Sequence, residues 1–383
     1  MPFGSDEIIL GLVIAVRLLV PLLIPRYPLP VILVALIVDA ADQSIFQQYT
    51  DLPLGNYQGY DKALDTYYLT FAYVASLRNW SNRFAVQVIH RLFYWRLVGV
   101  ALFELTHLRM LLLIFPNAFE YYFIFYALYR LRWDPQKMTK QVAIGAAVLI
   151  WVVIKLPQEW WLHVAQLDTT DFLKENVFGV PASAPWGQAL TNYQWPIPVL
   201  LCAVVIAAIL ALIMVRGLPL RQRAQRLAAR PLLAQFSPER ARKAFAAEAD
   251  RILDMALVEK TVLVALLTFI FAQVLPDARD SAWVLAACVA IVILGNTVLI
   301  HLLARLGVGR MPTDTHFFAT AAVNAILFAV TASTLGLDEK LSAVSSLFFV
   351  LLITLIVTLY DQYRQYYLMR FAVADVDQLR MTS

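Results

Sequence analysis

Charge is scarce in this chain. Only 15% of its 383 residues are Asp, Glu, Lys or Arg, where a soluble domain carries about 25%, so an ordinary water-facing globular surface is excluded. Cysteine is nearly absent. Cys202 and Cys288 each lie inside an apolar run, which excludes a disulfide framework or a Cys-rich metal centre and leaves two small buried hydrophobes. The histidines His90, His107, His163, His301 and His316 are scattered, against a His-rich metal site. There is no H-E-x-x-H, no G-x-S-x-G and no P-loop lysine motif. Period-two alternation of the kind that builds a membrane barrel is missing, and no internal repeat is visible. The first apolar run, "IILGLVIAVRLLVPLLIP" from Ile8, follows Asp6 and Glu7. A secretory signal has a basic leading segment and a small-residue cleavage site; lacking both, this run reads as a retained span.

What the chain has instead is hydrocarbon. Hydrophobic residues make up 61% of it, and the mean hydropathy is +0.66. The excess falls in runs long enough to cross a bilayer, which takes about 20 helical residues for roughly 30 Å. Such runs occur at about 8–25, 29–46, 61–77, 84–106, 110–131, 139–156, 197–215, 259–276, 281–304, 315–336 and 342–361. The pattern predicts an all-α, polytopic membrane protein with about eleven spans (ten to twelve). Within 84–131 the turn falls either at "THLR" or at "FPN".

The basic loops predict orientation. Arg78, Arg83 and Arg91 mark one connection, Arg130, Arg132, Lys137 and Lys140 a second, Arg305 and Arg310 a third, and Arg364 and Arg370 the tail. On an eleven-span count all fall on one side, with the N-terminus outside and the C-terminus cytoplasmic. The domain map is then an N-terminal bundle over 1–156, a Trp- and Pro-rich extracytoplasmic connection over 157–196 and a seventh span over 197–215. A basic amphipathic cytoplasmic connection over 216–258 and a C-terminal packing bundle over 259–383 follow. Positive charges between 216 and 243 suit the anionic inner leaflet. Aromatic residues are not interleaved with them as stacking on nucleic acid requires, so no nucleic-acid partner is expected. The expected location is a prokaryotic cytoplasmic (inner) membrane.

The costly residues concentrate in the first five spans. Asp39 and Asp42 are spaced i, i+3 near the end of span two; Asp61 and Asp65 are spaced i, i+4 near the start of span three, with Lys62 between them. Each pair shares a helix face. Across the intervening turn, four carboxylates are expected at one rim, where they either raise a pKa or recruit a cation. Hard oxygen ligands suit Mg²⁺, Mn²⁺ or Ca²⁺. Arg96, Glu104, Arg109, Asn117 and Glu120 follow among many tyrosines, and ionisable residues within spans are functional candidates that face a bundle interior. Their alternative role is the structural bridge that sets helix register.

The aspartate spacing, Asp39-x-x-Asp42 and then Asp61-x-x-x-Asp65, resembles that of the CDP-alcohol phosphotransferases over about 27 residues. It departs from that family's signature at Gln43, at Phe46-Gln47 and at Tyr57. The resemblance implies a divalent metal held by the four aspartates. Three functions remain open on the sequence. The leading one is cation-linked transport or binding of a small solute through a carboxylate-lined cavity. The second is a membrane-embedded, metal-dependent transferase or hydrolase acting on a phosphate-bearing or lipid substrate. The third is a scaffold or assembly factor.

Overall fold

The computed structural model describes residues 5–50, 57–165, 169–184, 187–188, 254–305 and 313–381. Among them every long regular element is a helix and there is no strand. Lipid offers backbone N–H and C=O groups no partner, and a helix satisfies them within one segment. The helices are α1 (Ser5–Leu19), α2 (Pro28–Tyr49), α3 (Tyr57–Asn79), α4 (Arg83–Thr106), α5 (Met110–Ile114), α6 (Ala118–Arg132) and α7 (Lys140–Leu149). After the segment that lies outside the described residues come α8 (Met255–Val274), α9 (Ala282–Arg305), α10 (Thr313–Thr334) and α11 (Ala343–Met381).

Seven segments among the described residues are helical, long and apolar enough to cross a membrane: Arg83–Thr106, Met110–Arg132, Lys140–Leu162, Met255–Val274, Arg279–Leu299, Phe317–Thr334 and Ala343–Phe371. Multiple apolar helices of this kind mark a multi-pass membrane protein. The first three expected spans are helical as well, but α1 gives way to a 3-10 turn at Val20–Leu23, and α2 and α3 carry aspartates. The expected span 197–215, Cys202 and the connection 216–258 as far as residue 253 lie outside the described residues.

The sequence places the caps. Asn82 Oδ1 accepts the Ala85 N–H at the start of α4 (2.9 Å), and Asp254 Oδ1 accepts that of Leu257 at the start of α8 (2.8 Å). Both are N-cap bonds that satisfy donors a helix start leaves orphaned. The ambiguity within 84–131 resolves in two parts. The chain turns at His107–Arg109, where His107 adopts a positive φ of 54°, and "FPN" breaks the following span in its interior. The next helix does not stop at 156. A π-helical stretch, Ile150–Lys155, leads through Leu156–Glu159 into a second, Trp160–Val164. The i→i+5 bonding of such stretches accommodates Pro157, which has no N–H to donate.

The chain divides into two compact units, Met1–Leu52 with Gln87–Arg230, and Pro53–Val86 with Pro231–Ser383. In the first, α1 packs on α2, and α2 and α7 pack on α6. The face of α7 bearing Ile144 and Val148, continued by Val152 of the π-helical stretch after it, stays exposed, as a lipid-facing helix should. In the second, α3 packs between α8 and α11, and α8 through α11 pack in succession. A division by chain order would have put α3 with the N-terminal helices. Long-range apolar contact decides otherwise, as in the edge-on packing of Tyr67 against Phe271 at 6.2 Å. Asn324 Nδ2 donates to Thr354 Oγ1 (3.0 Å), joining α10 to α11 by the interhelical bond expected of a buried amide.

At one end of this second unit, Asp277 accepts the Ser342 N–H (2.8 Å) and the Ser345 hydroxyl (3.0 Å), tying the α8–α9 turn to the start of α11. Partial burial pushes the Asp277 carboxyl up, but these donors outweigh it and hold it below its ordinary 3.8. A carboxyl depressed by folding contributes stability that is fully present above its unfolded value, and that stability is lost as pH falls through the lower folded value. Asp277→Asn is therefore expected to destabilise by less than about 1 kcal/mol at neutral pH, since the group is partly solvated. The difference from wild type should shrink in thermal melts as the pH falls through the lowered folded value. A difference that grows on acidification would refute the assignment.

Candidate functional site

The two aspartate pairs found in the sequence are each held by a basic residue of their own unit. In the first unit, Arg17 of α1 donates through its two terminal nitrogens to Asp39 and Asp42 of α2. Arg17 and Asp42 are fully enclosed, with side chains 4% and 0% exposed. Arg17 interrupts the first apolar run; an arginine within a span was the available signal for this partner. In the second unit, Lys62 bonds Asp61 at 2.8 Å and lies 3.5 Å from Asp65. Asp61 and Asp65 bring carboxylate oxygens within 4.8 Å of one another. Neither Arg96 nor Arg109 supplies these bonds. Arg109 sits half-buried at the turn before α5.

Arg96, Asn117 and Glu120 instead meet at the break between α5 and α6, inside the span Met110–Arg132. Pro116 cannot donate a backbone bond and disfavours helical backbone at Phe115, whose φ and ψ are −111° and 62°, so the helix opens there. Open backbone at membrane depth must find partners in neighbouring helices. Trp95 Nε1 donates to Ile114 O (3.2 Å) and Arg96 Nη1 to Phe115 O (3.0 Å), both from α4. The Asn117 N–H, freed at the start of α6, donates to Glu159 Oε1 (3.2 Å), and Asn117 Nδ2 donates to Glu120 Oε2 (2.6 Å). Carboxylates at a helix N-terminus are favoured by its partial positive charge.

Two members of this group, Lys155 and Glu159, escaped the sequence reading. Lys155 ends the apolar run 139–156, and Glu159 follows a proline that reads as a helix stop. The helix continues, and both are buried, with Lys155 Nζ 4.1 Å from the centre of the Tyr121 ring. Glu104 is buried on α4, two residues from its end. At about 1.5 Å per residue, Arg96 and Glu120 lie roughly 15 Å from the turn joining their helices, the midplane of a hydrocarbon layer about 30 Å thick. A close approach fixes the break against α4: a Cβ on Gly99 would stand 2.1 Å from Phe115 Cβ. Trp95 covers it, 4.5 Å from the Phe115 ring centre and 5.7 Å from that of Trp151.

The second unit has a charged group of a different kind. Tyr73 donates to Glu259, Arg364 approaches Asp254 and Glu259 at 3.5 and 3.8 Å, and Lys260 bonds Asp361 at 2.8 Å. These residues join α3, α8 and α11 in opposite-charge pairs and read as bridges.

The chain matches no protein-family model, and neither a curated protein nor a solved structure is significantly similar to it.

Proposed function

We propose that this protein binds or transports a small solute in a cation-linked manner across a prokaryotic cytoplasmic membrane. The observation that carries the reading is the broken span Met110–Arg132, whose interior break is lined by the buried Arg96, Asn117, Glu120, Lys155 and Glu159. Discontinuous helices near the midplane supply polar ends for solutes and ions where continuous helices cannot. Buried ionisable residues at that depth are costly and are kept for such work. The orientation that goes with this reading has the N-terminus outside and the basic segment 216–243 against anionic inner-leaflet lipid.

Reconstituted protein given a panel of radiolabelled amino acids, sugars and carboxylates, under imposed Na⁺ or proton gradients, is expected to accumulate at least one of them above the external level. Glu120→Gln is expected to lower that accumulation at least tenfold. Gradient-independent equilibration of every solute, identical in wild type and Glu120→Gln, would refute the proposal.

A second reading rests on Asp61 and Asp65, two carboxylates that both approach the ammonium of Lys62. They are the proposed ligands of a divalent Mg²⁺, Mn²⁺ or Ca²⁺ in a membrane-embedded transferase or hydrolase, with Asp39 and Asp42 as the other half of the aspartate pattern. Arg17 already occupies that half, which favours the transport reading.

A further inference from the structure

Arg96 is a buried cation without a carboxylate. It is 4% exposed, and its Nη1 donates to Phe115 O at the α5–α6 break. Its Nε is buried with no hydrogen-bond partner, and it makes no ion pair among the described residues. An arginine kept only to set helix register would be paired with an acid. The break holds two, Glu120 and Glu159, and both reach Asn117 rather than Arg96. Asn117 is left unmet in the opposite sense. It is 5% exposed, its Nδ2 donates to Glu120, which fixes the orientation of the amide, and its Oδ1 is a buried acceptor with no partner among the described residues. Phe115 and Asn117 stand at most about 7 Å apart along the backbone. A donor lacking an acceptor and an acceptor lacking a donor therefore lie at the same short break.

Charge narrows the class of solute that joins them. Arg96 and Lys155 balance Glu120 and Glu159, so a solute of no net charge enters this depth at the least electrostatic cost. Within that limit the guanidinium calls for an anion, which it takes best as a carboxylate, and the positive end of α6 favours the same charge. Asn117 Oδ1, beside Glu120, calls for a cationic donor. A plain carboxylate would leave Asn117 Oδ1 unmet, a simple amine would leave Arg96 unmet, and a sugar hydroxyl would bring the guanidinium no charge. We propose that the solute is a zwitterionic α-amino acid, its carboxylate on Arg96 and its ammonium on Asn117 Oδ1. This rests on the proposed transport reading and names the class of solute it carries. The helix break then has a use. In an unbroken helix the Phe119 N–H would take the Phe115 carbonyl; the break frees that carbonyl to hold Arg96 close to Asn117.

The test measures binding first and flux second. Full-length protein in detergent is incubated with a radiolabelled mixture of the common L-amino acids, with unlabelled propionate and ethylamine as competitors that carry only the carboxylate or only the amine. Wild type is expected to retain amino acid saturably, and neither competitor should displace it at equal concentration. Arg96→Lys and Asn117→Ala are each expected to weaken retention at least tenfold. Asn117→Asp keeps the acceptor oxygen and adds a charge toward the ammonium, so it should hold amino acid more tightly than wild type. A merely structural Asn117 would not do that. The rejection of propionate and ethylamine is read on wild type, so the proposal stays falsifiable should a variant fail to fold. No retention of any amino acid, displacement by propionate or ethylamine alone, or equal retention by folded wild type, Arg96→Lys and Asn117→Ala would overturn it. Gradient-driven accumulation of a sugar or a simple carboxylate in place of amino acids would overturn the zwitterion and leave transport standing. Amino acid binding without flux would do the reverse.

Discussion

Arg17→Met is expected to destabilise the protein by about 3–5 kcal/mol, because it leaves two carboxylates facing each other with their common cation gone. Asp42 is wholly buried and Asp39 only partly exposed, so water cannot take over the guanidinium's role. Adding Asp39→Asn and Asp42→Asn to Arg17→Met should restore most of the loss, since a buried ionic group exchanged whole for neutral residues is often near-neutral. Unfolding midpoints of wild type, the single variant and the combined variants measure this. Equal stability of Arg17→Met and wild type at mildly alkaline pH would show that the three residues do not act as a buried group.

Gly99→Ala is the second large effect. The added methyl would stand 2.1 Å from Phe115 Cβ, and a real contact of that length does not exist. Overpacking a filled site costs about 1–3 kcal/mol. Here the displaced residue also carries the carbonyl that Arg96 caps, next to the Ile114 carbonyl that Trp95 caps, so the cost should reach the upper end. Truncating Phe115 to Ala gives no rescue, because the obstructing atom is its Cβ. Gly145→Ala in α7 is the control: nothing lies within 4 Å of the new methyl, and exchanging a mid-helix glycine for alanine stabilises by up to about 1 kcal/mol. The pair separates a glycine needed for close approach from one that merely occurs in a helix. Equal melting temperatures for Gly99→Ala and Gly145→Ala would dismiss the close approach.

The sequence made the helices readable because lipid imposes length and composition on each one separately. The run read at 84–106 is α4 to within a residue, and the run at 110–131 is α5 with α6. Partners were less legible. Asp39 and Asp42 were visible as costly groups, but their countercharge lies 22 and 25 residues away in α1, and no periodicity links positions on different helices. Lys155 and Glu159 were hidden by Pro157, an ordinary helix-ending signal that two π-helical stretches override. The grouping of α3 with the C-terminal helices depends on aromatic and apolar packing between residues far apart in the chain, which composition does not register. Asn117 and Glu120 were found by spacing alone. Their value as a pair comes from the break that Pro116 makes, and from a glutamate on another helix.

Arg370 of α11 donates to the carbonyls of Arg78, at 2.7 Å, and of Trp80, closing the C-terminal end of α3 from 292 and 290 residues away. At a synthesis rate of about 5–20 residues per second, the ribosome reaches that arginine on the order of 15–60 s after it has made α3. During the interval α3 lacks its cap along with its packing partners α8 and α11, and its last carbonyls are met by water and lipid headgroups. The second unit is therefore assembled late and out of order: its earliest helix waits in the membrane for its latest. A chain released prematurely, anywhere before Arg370, would leave α3 unfinished however correctly it had been inserted.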